Sequence, residues 1–299
     1  MTTFKNFIDS RPARSANKWG TQRWGTQRAE PQDVAAALDL VAAACGWSRH
    51  QLSDRVLGSA ARCLNGERAD CGDIDLAVDR NLADPLAVHA LMMQAVDGRG
   101  ELNTGTRVGS YAVELSDKRV QVDLMFVSSV PWARFIYWSP SPLKSAYSGA
   151  VRNILMMTAL TFIEHPDQDF TKTDAQGRTL ARARRSIRMD SGLLRLFKLA
   201  RIRRDGSPGA LETVTPSALQ QWVDLHCPTV KFSHNQDLIS EPAAVVQFIF
   251  GPDCTQSAVQ SAEGVIAQIK KMPQAQEILE RCRSELERLA LPVPAQLLT

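Results

Sequence analysis

The chain has 299 residues, 44% of them hydrophobic and 22% charged, with a formal net charge of +3. That length allows two domains with a core each, and the composition excludes a largely disordered or fibrous chain. No apolar run approaches the roughly 20 residues that span a bilayer, and the start, MTTFKNFIDSRPARS, lacks the hydrophobic centre of a secretory signal, so an intracellular, cytoplasmic protein is expected. The six cysteines (Cys45, Cys63, Cys71, Cys227, Cys254, Cys282) lie scattered without a C-x-x-C pair, which points to reduced, mostly buried thiols.

Residues 1–31 are polar and carry a short tandem repeat, WGTQRWGTQR, from Trp19 to Arg28; they read as a flexible N-terminal arm. An Ala-rich helix is expected to start near Pro31 and to end at Gly46. The next segment, SRHQLSDRVLGS, leads through a short apolar strand, RVL, into a Gly58–Ser59 turn. GDIDLAVD then reads as a strand, and DPLAVHALMMQAV as a helix opened by Asp84 and Pro85. TRVGSYAVEL and KRVQVDLMFV alternate apolar and polar residues around SDK, which marks a hairpin. From about Ser141 onward the pattern turns helical, including SGLLRLFKLARIRR at residues 191–204. The fold expected is α+β: a mixed sheet with flanking helices over residues 32–140, then a mostly helical domain over 141–299.

The chemistry concentrates in the first half. Period 2 puts Asp73 and Asp75 on one face of a strand while Ile74, Leu76 and Val78 pack behind it. In the later strand Val120, Val122, Leu124 and Phe126 form the buried set, so Asp123 stands on the opposite face. Three carboxylates on one side of a sheet repel each other unless a cation sits between them. At Gly58 and Ser59, backbone NH groups and a hydroxyl can approach a phosphate because glycine removes the side-chain barrier. These parts fit a two-metal phosphoryl-transfer site, in which Mg²⁺ or Mn²⁺ is held by oxygen ligands.

The ordered set Leu57, Gly58, Ser59, Asp73, Ile74, Asp75 and, after a hairpin, Asp123 resembles the DNA polymerase beta-like nucleotidyltransferase superfamily. SPSPLKSAYSGAVRNILM resembles the helix that follows the third carboxylate in phage-encoded members, so the likeness covers about residues 50–165. The spacer AARCLNGERADCG is at the long end of the family pattern. The resemblance implies that Asp73 and Asp75 hold two metal ions, that Asp123 completes the site, and that Gly58 and Ser59 bind the triphosphate. A basic residue must also meet the γ-phosphate, where the leaving pyrophosphate gathers charge. Lys144, Arg152 and Lys198 are the candidates.

Between Arg178 and Arg204 every charged residue except Asp190 is Arg or Lys. Such a run is either a solvated face or the footprint of phosphate contacts, and its arginines suit bidentate phosphate binding. Arg182, Arg184, Arg185 and Arg188 are therefore candidates for contacting a nucleic-acid acceptor. The expected activity moves a nucleoside monophosphate from a nucleoside triphosphate to a hydroxyl, most simply at the end of an RNA or other nucleic acid. A protein or small-molecule acceptor is the alternative, and an idle phosphate-binding scaffold a third reading. His226, Cys227, His234 and Cys254 have ligand chemistry, but their spacing matches no common zinc pattern. The sequence also lacks G-x-G-x-x-G, a Walker lysine and G-x-S-x-G.

Overall fold

A computed structural model describes residues 23–138, 145, 147–163, 170–229 and 238–298. The chain divides into two units, Met1–Gly149 and Ala150–Thr299, and each contains helices and a four-stranded sheet. The α+β class is as expected.

The first unit opens with helix α1 (Pro31–Cys45). Pro31 sits at its first turn, Glu30 and Asp33 cap it reciprocally, and Gly46 ends it at a φ of 68°. Its buried side chains, Val34, Ala37, Leu38 and Val41, recur at helical spacing and face the sheet's core. Two short helices follow, α2 (Arg49–Ser53) and α3 (Gly58–Leu64), then strand β1 (Ile74–Asp79) and helix α4 (Pro85–Ala95), which Asp84 caps through the amides of Leu86 and Ala87. Strands β2 (Gly100–Asn103), β3 (Val108–Glu114) and β4 (Arg119–Val127) complete the sheet, and helix α5 (Val130–Ile136) follows it.

The strand order is β1-β4-β3-β2, with β1 parallel to β4 and the other pairs antiparallel. The expected hairpin is β3–β4, closed by the Leu115 amide on the Lys118 carbonyl. Ile74, Leu76, Val78, Val120, Val122, Leu124 and Phe126 all enter one core with α1 and α4, each such burial contributing about 1.5–3 kcal/mol. The opposite face of β4 is buried as well, where Met125 and Val127 pack with Leu57, Ala77 and Ala133.

Of the expected flexible arm, residues 1–22 lie outside the described residues, and the part that is described is docked. Gln27 bridges Val120, Ala29 bridges Cys71, and Arg28 makes a two-pronged ion pair with Asp70 at 2.7 and 2.8 Å. The second copy of the repeat is thus tied to the start of β4 through Gln27 and to Asp70 through Arg28.

In the second unit the expectation of a mostly helical domain is wrong. Helix α6 (Gly149–Leu160) is followed by β5 (Phe170–Thr173), β6 (Thr179–Arg188), β7 (Gly192–Ile202) and β8 (Pro208–Val214), an antiparallel sheet in that order. SGLLRLFKLARIRR is a strand because TLARARRSIR gives it a partner along eight consecutive residue pairs. Gly192, at a φ of 120°, lies after the turn between them, and a side chain there would collide with the Ile239 carbonyl. Helices α7 (Pro216–His226), α8 (Pro242–Phe250), α9 (Ala262–Ile269) and α10 (Ala275–Arg288) follow. Leu219, Val223 and Cys227 pack on Phe170, Ala181, Ala183 and Phe197, on one face of this sheet.

All six cysteines are free; five are buried and Cys45 is half-buried. Among the described residues no helix is long and apolar enough to cross a membrane.

Candidate metal centre

Asp73, Asp75 and Asp123 converge. Each offers a carboxylate oxygen, and the three oxygens lie within 4.8 Å of one another. Among the described residues this is the one group of three or more His, Cys, Asp or Glu side chains placed to share an ion. The pairing of β1 with β4 produces it: Asp75 is opposite Asp123, and Asp73 precedes β1 by one residue on the same side. Across the sheet on β3, Ser110 is the partner of Asp123, so a hydroxyl joins the row. Asp123 is 5% exposed, whereas Asp73 and Asp75 are half-buried. The site therefore has a fixed inner wall and a more accessible rim.

Three hard oxygen donors at this separation suit Mg²⁺ or Mn²⁺ and not a soft ion that prefers sulfur. The nearby thiol does not compete. Cys71 is pushed well above the ordinary cysteine value, first by burial and further by the charges around it, Asp73 and Asp75 included, so it stays protonated and apolar in character.

Gly58 and Ser59 lie beside this group, in a setting that differs from the expected one. Val56 makes a single antiparallel bridge to Leu76, and the amide of Leu57 donates to the Asp75 carbonyl at 2.8 Å. Those bonds pin the segment to the outer edge of β1. The chain then turns at Gly58, with a φ of 55°, and starts α3 instead of closing a strand. A Cβ on Gly58 would stand 3.4 Å from the Tyr137 carbonyl and 3.8 Å from Oδ2 of Asp75. The glycine therefore brings backbone against a carboxylate of the cluster, and first-turn amides of a helix have no acceptor within it. Ser59 is half-buried in that first turn.

One neighbour escaped the sequence reading. Gln121 precedes Asp123 by two residues on the same face of β4, and its Nε2 donates to Oδ1 of Asp123 at 2.9 Å. It is 3% exposed, and its Oε1 has no hydrogen-bond partner. An amide held against a carboxylate fixes which of its oxygens is left to face an ion. The available signal was the period-2 position of a polar amide beside Asp123 in an otherwise apolar strand.

Of the basic candidates, Arg152 and Lys198 belong to the second unit. Lys144 lies outside the described residues. Arg152, on α6 in the second unit, is fully buried, and its Nε and Nη2 donate to Oδ1 of Asn153 at 3.1 and 2.8 Å. Burial pushes its guanidinium down to about 9, which marks a packed interior position. Lys198 is 5% exposed on β7, directly opposite Arg182 of β6. Burial first, then Arg182 and Arg188, hold its ammonium below the ordinary lysine value.

The arginines do not form one patch. Alternation along β6 puts Arg182, Arg184 and Arg188 on one face, while Arg185 shares the other face with Ala181 and Ala183. Arg185 stacks on Phe248 of α8, its guanidinium carbon 4.7 Å from the ring centre. The expectation that all four arginines act together is corrected by this parity. Of the weak zinc set, His234 lies outside the described residues.

The chain matches no family model, no curated protein and no solved structure.

Proposed function

We propose that this protein is a metal-dependent nucleotidyltransferase of the polymerase beta-like kind, moving a nucleoside monophosphate from a nucleoside triphosphate to a hydroxyl at the end of a nucleic acid. The observation that carries the reading is the meeting of Asp73, Asp75 and Asp123, with the Gly58 turn beside Asp75. Carboxylates so close in a half-buried place repel one another without a cation, and a fold gains nothing structural from that repulsion. Bound Mg²⁺ or Mn²⁺ would supply an activated acceptor oxygen and a neutralised triphosphate.

The remaining work falls to the chain. Asp123, held by Gln121, sets one ligand oxygen in a fixed orientation. Asp73 and Asp75, on the more accessible rim, complete the ligand set. The amides of Gly58 and Ser59 are suited to phosphate oxygens, since a helix start presents unpaired NH groups and the missing side chain allows close approach. Pyrophosphate would leave as the new phosphodiester forms at the acceptor hydroxyl.

The test is transfer of label. The purified chain is incubated with each α-labelled nucleoside triphosphate, Mn²⁺ or Mg²⁺, and total RNA, alongside the Asp75→Asn variant. Label should move to RNA with the parent, and the variant should lose at least about a hundredfold, because altering groups behind a metal ligand already costs 10–100-fold. Equal labelling by parent and variant, or no label on RNA or protein from the parent with any of the triphosphates, would overturn the reading. Label on protein in place of RNA would keep the chemistry and replace the acceptor.

A further inference from the structure

The register of the first sheet carries the row of the metal centre beyond its carboxylates. Asp75 of β1, Asp123 of β4, Ser110 of β3 and Glu101 of β2 are successive partners across all four strands, and paired residues share a face. The neighbouring positions agree with that parity: Val108, two residues before Ser110, packs with Met125 and Leu57, while Tyr111 enters the opposite core. Ser110 is half-buried, and among the described residues its hydroxyl has no hydrogen-bond partner. Every side chain in the row can accept a hydrogen bond and none is a cation. Beyond the metal ions, the row therefore suits a group that brings hydroxyls and not a phosphate.

The layout says which group that is. The amide of Leu57 is bonded to the outer edge of β1, which puts the Gly58 turn at one end of the row, Asp75 and Asp123 in the middle and Ser110 on the far side. In phosphoryl transfer the attacking and leaving oxygens stand in line on opposite sides of the reacting phosphorus. A pyrophosphate leaving toward Gly58 and Ser59 thus has the attacking hydroxyl opposite it, over Asp123 and toward β3. The donor's own nucleoside is attached sideways to that line, so the group that reaches Ser110 belongs to the acceptor. Adjacent strands are about 4.8 Å apart, and Ser110 lies one strand beyond Asp123. The second hydroxyl of a ribose and one hydrogen bond fill that span.

We propose that Ser110 hydrogen-bonds the 2′-hydroxyl beside the attacking 3′-hydroxyl, so that the acceptor is the ribose end of an RNA and not a DNA end. The inference rests on the nucleotidyltransferase reading and specifies the sugar of its acceptor. A serine hydroxyl can donate to or accept from the 2′-oxygen, and one such neutral bond is worth about 2–12-fold.

The test uses two RNA oligonucleotides identical except in the last sugar, ribose or 2′-deoxyribose, both with a free 3′-hydroxyl. Each is incubated with the full chain, Mn²⁺ and the four α-labelled nucleoside triphosphates, and the ratio of the two rates is taken. The parent should extend the ribose end faster. Ser110→Ala should lower the ratio by about 2–12-fold. Ser110→Thr keeps a hydroxyl and suits a strand, so it should retain the ratio. Because each ratio is taken within one variant, damage to the fold or to metal binding lowers both rates alike and cancels.

Equal rates on the two ends by the parent, or a Ser110→Ala variant with the parent's ratio, would overturn the inference and leave the nucleotidyltransferase reading in place. A Ser110→Thr variant whose ratio falls as far as that of the alanine variant would overturn it too. Transfer to neither end also overturns it, and labelling of total RNA and of protein by the parent then tells whether the nucleotidyltransferase reading falls with it.

Discussion

The two sheets of this protein use the same alternation to opposite electrostatic ends. In the first, one face is aliphatic and the other brings Asp73, Asp75 and Asp123 together at the β1–β4 pair. In the second, one face is mainly apolar and the other aligns Arg182 with Lys198, beside Arg184 and Arg188. Like charges are concentrated in both places, with Asp190 set against Arg188 at the end of the basic side. The difference lies in support. The acidic group has a neutral amide, Gln121, held against one ligand oxygen, whereas the basic row is flanked by hydroxyls.

That contrast is sharpened most by Gln121→Leu. The substitution removes the amide's hydrogen bond to Oδ1 of Asp123, so transfer should fall by about 10–100-fold, the usual range for a group that orients a metal ligand. Stability should scarcely change, because the substitution also removes the Oε1 atom that has no partner. Comparing transfer rate with melting temperature checks both halves. A melting temperature that falls in step with activity would make Gln121 a packing residue only.

A smaller effect is expected on the basic side, from pH alone and with no ligand. Lys198 is held below its ordinary value of 10.5 by burial, Arg182 and Arg188. Between its lowered value in the fold and 10.5, the unfolded chain keeps the proton and the folded chain has released it. Stability therefore rises with pH across that window, and below it the charged lysine is a standing cost. Lys198→Met should remove this contribution, so that the difference in unfolding free energy between variant and parent is largest near neutral pH and shrinks as the pH is raised through the window. Arg152, also lowered, titrates alike in both chains and cancels. A difference that stays constant with pH would show that Lys198 is not strained by its neighbours.

Three strands of the first sheet were legible in the sequence, its short edge strand β2 was not, and the second sheet was missed altogether, for a physical reason visible in two segments. DIDLAV and KRVQVDLMFV alternate with β-branched residues and have no helical spacing, so only a strand explains them and the carboxylates follow by parity. SGLLRLFKLARIRR places Leu193, Leu196, Phe197 and Ala200 at helical intervals, and it is rich in leucine and arginine, both good helix formers. Its strand form depends on pairing with TLARARRSIR, a tertiary contact that local propensity does not contain. The signal that was available is MDSG, a turn composition at residues 189–192 between two basic runs. Arg185 was assigned with its neighbours for the same reason: on a helix the four arginines crowd together, and on a strand they divide between faces. The Gly58 turn was legible as a close approach, but not its continuation into α3 or its contact with Asp75.

The central claim is that the three carboxylates form a metal site, and it is tested most directly by Mn²⁺ binding followed by electron paramagnetic resonance, without nucleotide or acceptor. The parent should take up Mn²⁺ with loss of the free-ion signal, and Asp73→Asn, Asp75→Asn and Asp123→Asn should each weaken uptake while keeping or raising the melting temperature, since each removes one of three repelling charges. Parent and variants that bind Mn²⁺ equally, or a parent that binds none, would contradict the account.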